Sequence, residues 1–282
     1  MLSIMNVLHN VLAARNSYSR DKFIEFYEDT HTYKILTDVN HKYTSVTTWI
    51  HSLFNNFDAD VIISGIMSSK MWKNGHKYWG KTPDQIKELW EINRIEAANS
   101  GTKLHFLIEC FMNNPSFPSD YVYSNFDLYN AYKNTNNFPE WNYFIQFIRD
   151  FPHLKPFRTE WTVYHEDIQI AGSIDMVYEN TDGTLSIYDW KRAKTITKEN
   201  YYNKFSTYST ISYLPDTNYW HYALQLNIYK HILLDKYGII IKDLFLVRLH
   251  PDADNYELIE LPDLSSIISV LFEERKTLLN SL

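Results

Sequence analysis

Apolar and polar positions along this chain change period several times, and each change marks an expected element. From residue 158 to 191 the apolar residues form short runs broken by turns at Glu166-Asp167 and at "NTDG". This predicts strands near 158–165, 168–178 and 184–191. Upstream, "KTPDQIKELWEINRIEAANSG" has helical spacing, with Thr82 as N-cap, Pro83 as first helical residue and Gly101 as terminator. A second helix is expected to start at once with "TKLHFLIECFMNN". Before these, "KFIEFYEDTHTYKILTDVNHKYTSV" reads as short strands turning at Glu28-Asp29 and at Asp38-Val39-Asn40. Ser45 or Thr44 then caps a helix through "VTTWIHSLF", and a loop poor in apolar residues follows. Residues 113–140, rich in Asn, Pro, Ser and Tyr, read as a surface insertion ending at a helix around "EWNYFIQFIRDF". A helix from about 217 to 236, a strand in "IIIKDLFLVRLH", a shorter one in "YELIELP" and a helix from Leu264 complete the pattern.

Strands in the middle with helices around them predict one α/β domain over 1–282, a mixed central sheet flanked by helices with an N-terminal helical lobe. Residues 1–100 hold the first strands and the lobe, 101–250 the core with its insertion, and 251–282 the last strand and helix. At 45% apolar residues the 282-residue chain has enough material for a real core. No apolar run approaches the roughly 18 residues of a membrane span, so no membrane partner is expected. Residues 1–20 lack acids, contain Arg15 and Arg20, and set Leu2, Met5, Leu8 and Leu12 on one helical face. A mitochondrial transit peptide has that form, but an ordinary first helix in a cytoplasmic protein is the favoured reading.

Cys110, the only cysteine, excludes an internal disulfide, a Cys-based structural zinc site and a cysteine-ligated iron–sulfur cluster within this chain. The net charge of -7, from 34 acids against 27 bases, gives no general attraction to nucleic acid. Any such binding must be local. Lys70, Lys73, Lys77 and Lys81 form a modest basic cluster, either solvated surface or a guide for DNA.

The candidate chemistry lies in "AGSIDMVYENTDGTLSIYDWKRAK", residues 171–194. If Asp182 is the middle of the turn, Asp175 falls opposite Asp189 with Cβ atoms about 4.5–5.5 Å apart. Strand alternation puts Asp189 and Lys191 on one face and Tyr188 and Trp190 on the other. Solvated acids on an exposed hairpin are the competing reading, but both aspartates end apolar runs, "IAGSI" and "LSIY". Two carboxylates that close inside an apolar sheet both stay ionised only with a cation between them. Oxygen ligands select a hard ion, Mg²⁺ or Mn²⁺. Such an ion with a nearby lysine suits attack of water on a phosphodiester. Gly172 leaves room for a ligand or another backbone.

"GSID", thirteen residues, then "DWK" resembles the core of the PD-(D/E)XK nuclease superfamily, with Ile174 in place of the name-giving proline. "GTKLH" (101–105), "QLNIY" (225–229) and "YTSVTTWI" (43–50) resemble further motifs of its RecB-like branch, which includes lambda-type exonucleases. The resemblance covers about residues 43–230 and implies a restriction-endonuclease-like core. It implies His105, Asp175, Asp189 and the backbone carbonyl of Trp190 as ligands of one or two Mg²⁺ or Mn²⁺ ions. A histidine ligand favours Mn²⁺. It also implies Lys191 as a catalytic group and Glu160, expected beside Ser173, as an assisting acid.

Gln225 would support the site or the scissile phosphate with Tyr229 packed beside it, both as part of the nucleic-acid-binding set, with helix packing as the other reading. Ser45 and Thr47, with Thr48, and Thr102 would meet phosphate, against simple helix capping for Ser45. Arg192 and Lys194 are solvated or phosphate-contacting. Tyr219, Trp220 and Tyr222 are packed or stack bases. The expected activity is that of a metal-dependent DNA exonuclease on single strands or ends, leaving 5′-phosphates. A recombination or replication protein is a further expected partner. A cap-snatching type of viral RNA endonuclease and a non-catalytic nucleic-acid-binding scaffold are the alternatives.

Overall fold

The computed structural model describes residues 11–114, 138–200 and 202–281. Their centre is a six-stranded mixed sheet pivoting on β5 (Ile170–Glu179). One edge of β5 pairs antiparallel with β4 (Lys155–His165). The other edge is shared. β3 (Thr44–Ser45) runs parallel to its start at Ile170 and Ala171, and β6 (Leu185–Lys191) runs antiparallel to its end from Met176 to Glu179. Beyond β6 come β7 (Ile241–Arg248), parallel to it, and β8 (Glu257–Glu260), antiparallel to β7. A separate hairpin, β1 (Ile24–Tyr27) with β2 (Thr32–Ile35), packs on β4.

Helices cover both faces because both faces are apolar. On one side Trp161, Ile174 and Ile187 meet α2 (Val46–Ser52), α6 (Asn218–Tyr237) and α7 (Ser265–Asn280). On the other, Met176, Tyr188 and Trp190 meet Leu104 and Ile108 of α4 (Pro83–Met112) and Phe144 and Phe147 of α5 (Pro139–Asp150). The expected α/β architecture with a mixed sheet between helices is therefore present. No helix of the described residues is long and apolar enough to cross a membrane.

The three central strands and the two C-terminal ones fall within a few residues of their expected bounds. Two helical expectations need correction. Gly101 terminates nothing, and α4 runs 30 residues straight through it, started by the expected Thr82–Gln85 capping box. A glycine inside a helix costs about 1 kcal/mol, less than the packing of Leu104 and Ile108 recovers. The stretch read as a loop after "VTTWIHSLF" holds α3 (Ala59–Ser68), capped by Asp58, whose carboxylate accepts from the N–H groups of Asp60 and Val61. Of the first helix only α1 (Val11–Arg15) lies within the described residues, and nearly all of the 113–140 insertion lies outside them.

Candidate metal centre and active-site cleft

The β5–β6 ladder follows the register centred on Asp182: Glu179 pairs with Leu185, Tyr178 with Ser186, Val177 with Ile187 and Met176 with Tyr188. There it stops. At the next position the strands fork, so Asp175 and Asp189 are not a ladder pair. The N–H of Trp190 donates instead to Asp175 Oδ2 at 3.0 Å. The fork opens a gap between two strands whose outer edges remain paired, and five chemically active groups border it.

His105, one turn past Gly101 on α4, approaches from the side. Its Nε2 lies 3.0 Å from the Trp190 carbonyl oxygen, and its Nδ1 lies 3.5 Å from Glu160 Oε1 and 3.6 Å from Asp175 Oδ2. Ligand atoms of His105, Glu160 and Asp175 all lie within 4.8 Å of one another. Of the expected trio of Asp175, Asp189 and His105, two lie in this cluster with Glu160, and Asp189 stands beside it paired to Lys191, Nζ to Oδ2 2.7 Å. Strand alternation does send Asp189 and Lys191 toward α6, where Lys191 also donates to Gln225 Oε1 at 3.4 Å and lies 4.5 Å from the Tyr222 ring centroid.

Glu160 reaches the cluster through its backbone. Thr159 and Trp161 pair with Met176 and Ile174, so Glu160 stands opposite Asp175, two residues from the expected position beside Ser173. The turn after β4 is longer than Glu166-Asp167 alone, with a 3-10 turn over Glu166–Ile168 and Gln169 in the left-handed region. Glu160 itself has φ of 42°. Adjacent strand residues normally face opposite ways, yet Thr159 accepts from Asn113 at the end of α4 and Glu160 also meets α4 through His105. The left-handed residue makes both possible. Ser173 Oγ still donates to Glu160 Oε2 at 3.1 Å.

The electrostatics follow from crowding of these five groups, with Asp175 and Asp189 the most buried. Burial raises the Asp175 carboxyl, with His105 opposing and Glu160 adding. Burial raises Asp189 to about 6, helped by Asp175 and resisted by Lys191. Burial works against protonated His105, but Asp175, Glu160 and Asp189 together lift it to about 9. Lys191 is likewise held charged, its burial outweighed by Asp189 and Asp175. The buried Asp189 Oδ2 is met by the Lys191 ammonium. Two carboxylates and an imidazole with ligand atoms within 4.8 Å of one another fit a hard divalent cation.

A cleft of about 740 Å³ leads to the cluster. Ser45, Thr47, Thr102, His105, Glu160 and Ser173 line it, so the three "GTKLH", "YTSVT" and strand motifs meet at one opening. Asp175 and Asp189 lie beneath, 11% and 2% exposed. The Ser45 hydroxyl accepts from the N–H of Thr48, which makes it the α2 cap. Glu28 and His31, in the turn between β1 and β2, and Glu109 on α4 also line the cleft and carry no local motif that marks them. Burial, with Glu160 next, raises Glu109 to about 7.

The fold also places the remaining expected residues. Tyr229 and Gln225 are 3% and 7% exposed, and Gln225 supports the site by accepting from Lys191 while Tyr229 packs beneath the sheet. Gly172 faces the Tyr229 ring, where a ligand or backbone was expected. Arg192 is tied to Glu140, Nε to Oε1 2.6 Å, and that carboxylate is 2% exposed. Lys194 pairs with exposed Asp252 at the surface. Tyr219 is buried, which settles it as core, and Trp220 Nε1 donates to the Lys198 carbonyl.

No family model and no curated protein matches this chain. Among solved structures, the crystal structure of SSO0001 aligns with 62% of this chain and 84% of its own, at 14% identity and a TM-score of 0.21. A likeness of that size carries no argument about fold or activity.

Proposed function

We propose that this chain is a metal-dependent DNA nuclease with a restriction-endonuclease-like core, acting on single strands or DNA ends. The observation that carries this reading is the fork after Met176 and Tyr188, where His105 and Glu160 line an open cleft and converge with Asp175, while Asp189 and Lys191 pair beside them. His105, Glu160 and Asp175 would hold a Mg²⁺ or Mn²⁺ ion, with the Asp189 carboxylate and the Trp190 carbonyl adjoining it. When bound, the ion supplies charge stabilisation for a phosphate and a lowered pKa for water. The chain's own groups do the rest. Lys191, charged and fixed by Asp189 and Gln225, offers a positive group to a developing phosphorane or orients the attacking water. Lys191 remains protonated at neutral pH, so it acts as a cation and not as a base. Thr47 and Thr102 offer hydroxyls to phosphate along the cleft wall.

The test is incubation of the purified protein with 5′- and 3′-labelled single- and double-stranded DNA, and with RNA, in Mg²⁺ and in Mn²⁺. Products with 5′-phosphates, stronger cleavage in Mn²⁺ and loss of cleavage by at least about a hundredfold in Asp189→Ala are expected. Cleavage confined to RNA, or retained by Asp189→Ala, overturns the proposal.

A further inference from the structure

A second surface, well away from the carboxylate cluster, has its own chemistry. The connector between α3 and α4, residues 69–81, contains four lysines and no carboxylate in a chain of net charge -7. None of Lys70, Lys73, Lys77 and Lys81 makes an ion pair among the described residues, while Lys77 lies 5.2 Å from the Tyr78 ring centroid. Aromatic rings alternate with them. Trp72 stands 5.3 Å from His76 and 5.6 Å from Trp79, and Tyr78 stands 6.2 Å from Trp90 on α4. Trp90 Nε1 donates to Tyr78 Oη at 2.9 Å, which pins the connector to the helix, and the series ends at Phe57, 5.9 Å from Trp90.

None of these rings is fully buried: Trp79 is 47% and Phe57 71% exposed, Trp72, His76, Tyr78 and Trp90 are half-buried, and Met71 adds an exposed apolar side chain. A monomer seldom leaves so much contiguous aromatic surface to water without a partner. Nucleic-acid bases stack on aromatic faces whatever their identity, and unpaired lysines between the rings match the phosphates of the same strand. Duplex DNA hides its base faces, so the aromatic component selects a single strand.

The helix α4 connects this surface to the cleft. Positions 90, 94, 97, 101 and 105 fall on one stripe of an α-helix, within about 80° of one another. The stripe therefore runs from Trp90 past the small residues Ala97 and Gly101 to His105, a distance of about 22 Å. A Cβ added at Gly101 meets nothing within 4 Å, so the path is open there.

We propose that the 69–81 connector and the N-terminal half of α4 form a stacking platform that holds a single-stranded nucleic acid whose other part lies in the cleft. This deepens the nuclease reading by naming where the strand is gripped, and it rests on that reading for the link to cleavage. The test is fluorescence anisotropy of labelled oligo-dT and oligo-rU with the full chain in EDTA, where binding is read without cleavage. Trp79→Ala should weaken binding of either single strand about 5- to 150-fold, and Trp79→Phe should keep most of it. Lys73→Ala should lower the slope of log affinity against log salt by about 0.7. The thermal midpoint of each variant, taken alongside, should stay at the wild-type value. Unchanged affinity in Trp79→Ala, an equal loss on a duplex of the same length, or no binding of any strand overturns the platform. The two readings separate cleanly. Binding lost in Trp79→Ala with no metal-dependent cleavage by the wild type keeps the platform and sinks the nuclease. Cleavage with unchanged Trp79→Ala binding does the reverse.

Discussion

Replacing Gly172 by alanine tests the packing beneath the site. A Cβ at that position falls 2.6 Å from Tyr229 Cε1, 2.7 Å from its Oη and 3.0 Å from its Cζ. Comfortable contacts between such atoms lie at about 3.5–4.0 Å, so ring or strand must retreat by roughly 1 Å. Neither moves freely, because the Tyr229 ring is 3% exposed and β5 is hydrogen-bonded to β4 along its length. Overpacking of this kind costs about 1–3 kcal/mol. For a chain of this size that lowers the thermal midpoint by about 2–12 °C. The assay is a double-mutant cycle by thermal or denaturant unfolding, with Tyr229→Leu as the second change. Leucine removes the three crowded atoms, so the double variant should lose less than the sum of the single losses, with a coupling of about 0.5–3 kcal/mol. Gly172→Ala with the stability of the wild type, or losses that simply add, refutes this account of why glycine precedes Asp175.

Metal and pH give further handles. Mn²⁺ at a hundred times its dissociation constant should stabilise the protein by about 2.7 kcal/mol, and Asp175→Ala should abolish the rise in melting temperature. His105 is lifted to about 9 and must give up its proton to bind an ion. Apparent Mn²⁺ affinity, read by calorimetry, should therefore climb up to tenfold per pH unit between pH 6.5 and 9, and His105→Gln should flatten that slope. In metal-free protein the sign is opposite. The proton on His105 adds stability fully present below its ordinary value of 6.5 and lost as pH rises through about 9, so a melting temperature that increases over that range contradicts the cluster. Arg192→Ala leaves the Glu140 carboxylate buried without its cation and should cost about 3–5 kcal/mol in urea unfolding, more than loss of a surface phosphate contact would.

Where local rules act alone, the sequence was readable. The turn at Asp182 set the β5–β6 register, and the Thr82–Gln85 box set the start of α4, because a turn and a cap each depend on a few adjacent residues. Gly101 misled because helix continuation there is decided by packing of Leu104 and Ile108 against the sheet, which no local signal reports. The α3 helix was missed although Asp58 and the apolar residues after it marked it. His105, Glu160, Asp175, Asp189 and Lys191 were legible as a set, but their division into a converging trio and an ion pair was not. That division depends on where two strands part and on one left-handed residue in a third, both tertiary facts. Glu28, His31 and Glu109 reach the cleft from elements distant in sequence, and nothing nearby distinguishes them.

The backbone at Glu160 sets stability against chemistry at a single position. A glutamate held at φ of 42° costs the fold about 1–2 kcal/mol that asparagine or glycine would largely recover. Enriching a library of variants for heat resistance alone should therefore drive glutamate out of this position, and the hardier proteins that survive would have the proposed cation pocket short of one wall.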